Sequence, residues 1–147
     1  MDNPTINLYK TCMTITAAPT RFIESFHYLP DPRWTGAILA IRRAGHVAAG
    51  RDYAVDRMTL QGDDLIYCLS GAGVVRTGEE QHDVGPGELV WLSGSAPHAH
   101  AAVPDDPWTV MWMRLDGPQT ETCRARLMGE SATLKQFAFN MTHIRRP

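Results

Sequence analysis

Strand-period alternation of apolar and polar residues runs through residues 64–118, and it constrains the fold of this chain more than any other feature. Turn-forming residues, chiefly Gly, Pro and Ser, interrupt the alternation at short intervals. Because Gly adopts positive φ and Pro fixes φ, each interruption predicts a turn between two short strands. The predicted turns fall at 71–73, 77–80, 85–87, 93–97 and 104–107. The pattern predicts antiparallel strands closed into a barrel or jelly roll, which encloses a pocket.

The segment before residue 34 has a different character. It carries four prolines and shows weak periodicity, which predicts an N-terminal arm over residues 1–33 rather than a core element. Strands are predicted within 35–47 and over 53–57, where apolar residues again alternate with polar ones. We therefore expect the barrel to occupy residues 34–118.

Beyond Pro118 the apolar period changes from two to 3.6. Pro118 suits the first turn of a helix, and Gly129 suits its C-terminal cap. Thr133 and Gln136 have the spacing of a capping box. Apolar residues then follow at helical spacing, at Leu134, Phe137, Ala138 and Met141. The sequence thus predicts a mainly β fold followed by two C-terminal helices within residues 119–147.

Composition narrows the classes of function. The 147 residues suit a single domain, and 14 basic against 16 acidic residues give a net charge of −2, which argues against direct contact with nucleic acid. The three cysteines have no metal or redox spacing. No basic, apolar leader opens the chain, and no run approaches the roughly 20 apolar residues of a membrane span. We expect a cytoplasmic domain without membrane contact.

The turn spacing resembles that of cupin barrels, whose metal is held by two His on one strand, a nearby Glu and a later His. Aligning Gly71 with the last Gly of the first cupin motif puts the two His positions on Met58 and Leu60, or on Arg57 and Thr59. Neither pair contains an imidazole, so we expect no metal and no cofactor. The second motif keeps one histidine, His98. A two-ligand site at His98 and His100, which share a strand face, stays open as an alternative.

A second resemblance covers most of the chain. It resembles the effector-binding and dimerisation domain of AraC-type transcription factors, whose barrels have generally lost the cupin metal ligands. The resemblance is carried by AGHVAAGRDYAVDR at 44–57, LIYCLSGAGVV at 65–75, GPGELVWL at 85–92, SAPHAHA at 95–101 and DPWTVMWMRLDGP at 105–118. It implies a small organic effector inside the barrel. It also implies that DNA is contacted by helix-turn-helix motifs, which this chain does not contain.

The resemblance and the strand parity together nominate a set of ligand-binding residues. Arg57 matches a position near the pocket mouth where a guanidinium can hold a carboxylate or hydroxyls, although a salt bridge with Asp52 or Asp56 is an equal alternative. The indole of Trp112 offers a flat apolar face, unless it only fills the core. The candidate ligand-binding residues are Arg57, Tyr67, His98, His100 and Trp112.

The family also pairs its C-terminal helices across a two-fold axis, which implies a homodimer. The predicted interface consists of Leu127, Leu134, Phe137 and Met141, and packing of this stripe onto the parent barrel is the alternative. Two other classes of function remain open beside the sensor. One is a small metal-dependent cupin enzyme, an isomerase or dioxygenase, and the other is a purely structural dimerisation module.

Overall fold

A computed structural model describes residues 18–29, 31, 33–34 and 36–128, together with the backbone of 134–138. Within these residues it contains ten strands and one helix. The strands are β1 (Arg21–His27), β2 (Ala40–Ala48), β3 (Ala54–Arg57), β4 (Asp63–Ser70), β5 (Gly73–Thr77), β6 (Glu80–Val84), β7 (Glu88–Leu92), β8 (His98–Ala102), β9 (Thr109–Asp116) and β10 (Leu134–Ala138). The helix is α1 (Gln119–Met128).

The strands form two antiparallel sheets. One has six strands in the order β1-β2-β9-β4-β7-β10, and the other has four in the order β3-β8-β5-β6. Strands distant in sequence are neighbours in both sheets, as β4 and β9 are. The prediction of a mainly β, cupin-like antiparallel fold is confirmed.

The hydrophobic core lies between the two sheets. Alternate residues of each strand point inward, so β4 contributes Ile66 and Cys68 to the core, and β9 contributes Val110. The four-stranded sheet supplies Val75 and Val84. A core between two sheets buries the inner face of each strand, which is why the strand-period alternation is the dominant signal in the sequence.

The C-terminal prediction is half right. α1 follows Pro118 as expected, with Glu121 in its first turn and Arg126 in its last, a placement that complements the helix dipole. The second predicted helix is wrong over the described residues 134–138, which form β10. This strand pairs antiparallel with β7, from Leu134 opposite Leu92 to Ala138 opposite Glu88.

Residues 134–138 form a strand because they pair with the edge of the six-stranded sheet. Without β10, the outer edge of β7 would present unpaired backbone N–H and C=O groups, and pairing satisfies them. This tertiary contact outweighs the weak helical preference of five residues. Residues three apart point to opposite faces of a strand. The helical stripe that grouped Leu134 with Phe137 therefore does not form there, and Met141 lies outside the described residues.

The N-terminal segment also joins a sheet where it is described. β1 pairs antiparallel with β2 at the edge of the six-stranded sheet, from Arg21 opposite Ala48 to His27 opposite Arg43. The division into an arm at 1–33, a barrel at 34–118 and a C-terminal segment at 119–147 remains a prediction. The one helix in the described part of the chain has 10 residues and is too short to cross a membrane.

Candidate functional site

A cavity of about 160 Å³ lies between the two sheets. β3 and β8 of the four-stranded sheet line one side, while β1, β4 and β9 of the six-stranded sheet line the other. Apolar and aromatic groups alternate with a few polar ones around it. The lining residues are Phe22, Tyr53, Val55, Arg57, Asp64, Ile66, His100, Trp108, Val110 and Trp112.

Strand alternation explains which side chains reach the cavity. Val55 and Arg57 are two residues apart on β3, and Val110 and Trp112 are two apart on β9, so each pair shares the inward face. Phe22 of β1 is two-thirds exposed and lies at the open side. A polar side chain at an inward position, such as that of Arg57, therefore lines the cavity.

The carboxylate of Asp64 is held by a buried ion pair. Asp64 on β4 lies directly opposite Arg114 on β9, and the guanidinium donates through Nε at 2.9 Å and Nη2 at 3.3 Å. Such two-point pairing fixes both groups and balances their charges. His98 is buried behind this pair, with Nε2 3.9 Å from Oδ2 of Asp64 and Nδ1 3.1 Å from the carbonyl oxygen of Ala96.

The guanidinium of Arg57 has no such partner. No carboxylate among the residues that the structure describes lies within 4.0 Å of it. The alternative of a salt bridge with Asp52 or Asp56 is therefore not observed. The Nε of Arg57 is buried and forms no hydrogen bond within the described chain. The cavity consequently contains one cation that its own wall does not neutralise.

Three aromatic rings lie next to one another on the same wall. The rings of Tyr53 and His100 are stacked at 5.9 Å between centroids, and His100 is 6.0 Å from Trp108. The hydroxyl of Tyr53 lies 3.5 Å from Nε2 of His100. Burial, the largest cause, lowers the pKa of His100 to about 4, so its ring is neutral at pH 7. Burial also raises the pKa of the Tyr53 hydroxyl, which therefore stays protonated.

Two polar atoms of this aromatic wall have no hydrogen-bond partner in the described residues: Nδ1 of His100 and Nε1 of Trp108. His100 is 7% exposed and Trp108 is fully buried. Most buried polar atoms in proteins are hydrogen-bonded, and leaving one unpaired costs about 1–3 kcal/mol. The wall therefore holds unused hydrogen-bonding capacity.

Glycines make room for both tryptophans of the cavity. A Cβ on Gly73 would lie 2.0 Å from Cε3 of Trp108, and a Cβ on Gly45 would lie 2.7 Å from Nε1 of Trp112. Each indole thus lies directly on a neighbouring backbone. Only a residue without a side chain permits this close approach.

The sequence-predicted ligand residues divide into two groups. Arg57, His100 and Trp112 line the cavity together. His98 is buried beside Asp64 but is not a lining residue. The expectation that Tyr67 points inward beside His98 needs correction. Tyr67 belongs to the outer face of the six-stranded sheet.

The position of Tyr67 follows from the strand pairing. On β4 the residues buried in the core are Ile66 and Cys68, and Tyr67 alternates with them. It lies opposite Leu89 and the half-exposed Met111. Tyr67 and the apolar residues opposite it therefore lie on the outer face of the sheet.

Seven lining residues were not among the sequence candidates: Phe22, Tyr53, Val55, Asp64, Ile66, Trp108 and Val110. Trp108 has the same strand parity as Trp112, which is a signal that could have identified it. Asp64 falls on the Glu position of the first cupin motif, which is a signal for it, but its pairing with Arg114, 50 residues further along the chain, had none.

A second buried carboxylate lies on the opposite face of β4. Asp63 accepts hydrogen bonds from Nε1 of Trp91 at 2.9 Å, from the backbone N–H of Gly94 at 3.0 Å and from Nε of Arg124 at 3.1 Å. Arg124 belongs to α1, so this cluster attaches the helix to the barrel. Among the described residues, no three His, Cys, Asp or Glu side chains form a group that could hold a metal ion.

Fold and site together define a cupin-type barrel with a small, partly polar ligand cavity. Residues 44–137 match the family model of the AraC-like ligand binding domain. The match covers more than half of the chain, which therefore belongs to this family.

Individual proteins are similar to this chain in sequence or in fold. Over 77 residues the chain is 36% identical to the MmsAB operon regulatory protein of Pseudomonas aeruginosa, a match that covers 50% of this chain and 25% of that protein. Its fold is similar to that of YhaK from Escherichia coli, with a TM-score of 0.60 and 21% identity over 80% of this chain and 51% of YhaK. The AraC-like transcriptional activator CuxR gives a TM-score of 0.50 and 14% identity over 69% of this chain and 37% of CuxR.

Proposed function

We propose that this domain is the sensor of an AraC-type transcriptional regulator and that it binds a small organic effector in the cavity between its sheets. The observation that carries the proposal is the set of buried polar atoms without partners at the cavity wall. These atoms are Nε of Arg57, Nδ1 of His100 and Nε1 of Trp108. A ligand that hydrogen-bonds to them would remove the cost of leaving them unpaired.

The size of the cavity limits the effector. A cavity of about 150 Å³ in another protein binds benzene, and this one has a volume of about 160 Å³. The apolar walls from Val55, Ile66 and Val110 favour a compact carbon skeleton, and Trp112 provides a flat face against it.

Regulation would require a longer protein. The chain matches a quarter of the length of the Pseudomonas aeruginosa regulator, and its net charge of −2 argues against direct contact with DNA. We therefore assign DNA contact to another part of the regulator, and we place the protein in the cytoplasm, where it would meet DNA and effector.

The experiment is a thermal-shift screen with small sugars, alcohols, amines and carboxylic acids. A compound at a hundredfold excess over its Kd stabilises the folded state by about 2.7 kcal/mol, which raises the Tm by roughly 5–10 °C. Trp112→Ala should abolish that shift. The matched control Trp34→Ala removes an exposed indole that does not line the cavity, and it should keep the shift.

Other outcomes would favour the other classes of function. No shift from any compound would favour a structural module. A stoichiometric transition metal in the purified protein would favour an enzyme, and a shift that survives Trp112→Ala would place the site elsewhere.

We also propose a homodimer. Leu127 on α1 is 54% exposed, so it is available to a second subunit in the way the family resemblance implies. Because residues 134–138 form a strand, we propose α1 as the surface to test.

A further inference from the structure

We infer that the effector is a small monoanion, most simply a carboxylate, whose charge pairs with the guanidinium of Arg57. This inference depends on the proposed function, because it concerns the same cavity. It adds the chemical class of the ligand.

The balance of charges around the cavity is the first argument. Asp64 is neutralised by Arg114, which it meets at 2.9 Å and 3.3 Å. His100 is neutral at pH 7 because burial lowers its pKa to about 4. The guanidinium of Arg57 is a cation. The lining residues and the partner of Asp64 together therefore leave one unbalanced positive charge, which a single negative charge on a ligand would neutralise.

The location of that charge is the second argument. Arg57 is half-buried on the inward face of β3, and its Nε is screened from water without a hydrogen bond in the described chain. A charged group in this position lacks both water and a counter-ion at one of its five donors. A carboxylate matches the planar fork of a guanidinium with two parallel hydrogen bonds, which a neutral hydroxyl cannot do.

The rest of the wall defines the remainder of the ligand. Nε1 of Trp108 is a donor without a partner in the described residues, and Nδ1 of His100 is a donor or an acceptor depending on its tautomer. The apolar residues of the lining are Phe22, Val55, Ile66 and Val110. We therefore expect a short carbon skeleton with the carboxylate at one end and at most one further polar group, such as a hydroxyl or a carbonyl.

The test compares each carboxylate with its uncharged amide, which has nearly the same shape. The probes are butyrate with butyramide, 2-hydroxybutyrate with 2-hydroxybutyramide, and benzoate with benzamide, each titrated against the wild-type chain by thermal shift and calorimetry. At least one carboxylate should bind, and its amide should bind at least about tenfold more weakly, because a hydrogen bond to a charged group is worth about a tenfold to hundredfold change in Kd.

Variants then assign the effect to Arg57. Arg57→Gln should weaken carboxylate binding by about 10- to 100-fold and leave the binding of any amide nearly unchanged. Arg57→Lys keeps the charge but loses the fork, and it should give an intermediate Kd. The control Arg51→Gln removes an exposed arginine whose nearest carboxylate, on Asp105, is 3.7 Å away, and it should bind like the wild type.

The possible failures are distinguishable. Equal binding of amide and acid, or carboxylate binding that Arg57→Gln does not weaken, would overturn the anion inference. If no carboxylate binds while a neutral sugar or alcohol does, and Trp112→Ala abolishes that binding, the proposed sensor stands and the anion inference fails. If no compound binds at all, both proposals fail.

Discussion

The buried imidazole of His100 predicts how the stability of the domain depends on pH. Burial lowers its pKa from 6.5 to about 4, because a charged ring in the core would lose its hydration. In the unfolded chain the ring titrates near 6.5. Between these two pH values the unfolded state binds more protons than the folded state, so stability falls as the pH falls through this window. Below the folded pKa both states are protonated and this contribution changes no further.

The magnitude follows from the width of that window. It spans about 2.5 pH units, and each unit of pKa difference corresponds to about 1.36 kcal/mol, which gives a total of about 3 kcal/mol. His100 is 7% exposed, so screening by solvent reduces this figure little. A typical domain is stable by only about 5–15 kcal/mol, so the loss is large enough to measure.

The assay is urea unfolding at several pH values between 7 and 4, followed by tryptophan fluorescence and circular dichroism. His100→Gln removes the titrating ring, and its stability relative to wild type should rise by about 3 kcal/mol as the pH falls from 7 to 4. Contributions from groups remote from position 100 cancel in the difference between the two proteins. Parallel pH profiles for wild type and His100→Gln would refute the claim that the fold keeps this ring neutral.

Two further predictions concern packing and assembly. Gly73→Ala should destabilise the fold by about 1–3 kcal/mol and weaken ligand binding, because the new methyl group would displace the indole of Trp108. Urea unfolding measures the change in stability. The control is Gly85→Ala, whose Cβ would meet nothing nearer than 3.7 Å. Leu127→Asp should convert the proposed dimer into a folded monomer in sedimentation experiments, since this side chain is exposed in the single chain, and a dimer that persists would place the interface elsewhere.

Strand alternation predicted most of the fold and part of the site. It grouped His98 with His100 and Trp108 with Trp112, because parity within one strand is a local property. Arg57 was nominated by the family resemblance. Reasoning from parity failed for Tyr67. Parity states which residues share a face, but it does not state which of the two faces is the inner one.

The choice of face on β4 depends on contacts made far along the chain. The inner face of this strand carries Asp64, an unusual core residue that the sequence alone would assign to the outside. Its partner Arg114 comes from β9, and only the three-dimensional pairing brings the two together. The C-terminal error has a similar origin, because the open edge of β7 is also a property of the assembled sheet.

The consecutive aspartates of β4 form two ion pairs, one at the cavity wall and one with α1. Alternation sends the two carboxylates to opposite faces of the sheet, and each is buried, so each would be costly without a cationic partner. Asp64 meets Arg114 and thereby fixes the wall of the cavity. Asp63 meets Arg124 of α1. Among the side chains described for α1, the buried ones are Thr120 and Arg124, so apolar burial alone does not hold this helix. The ion pair therefore helps to attach α1 to the barrel, and the cavity wall and this helix attachment are built from adjacent residues of one strand.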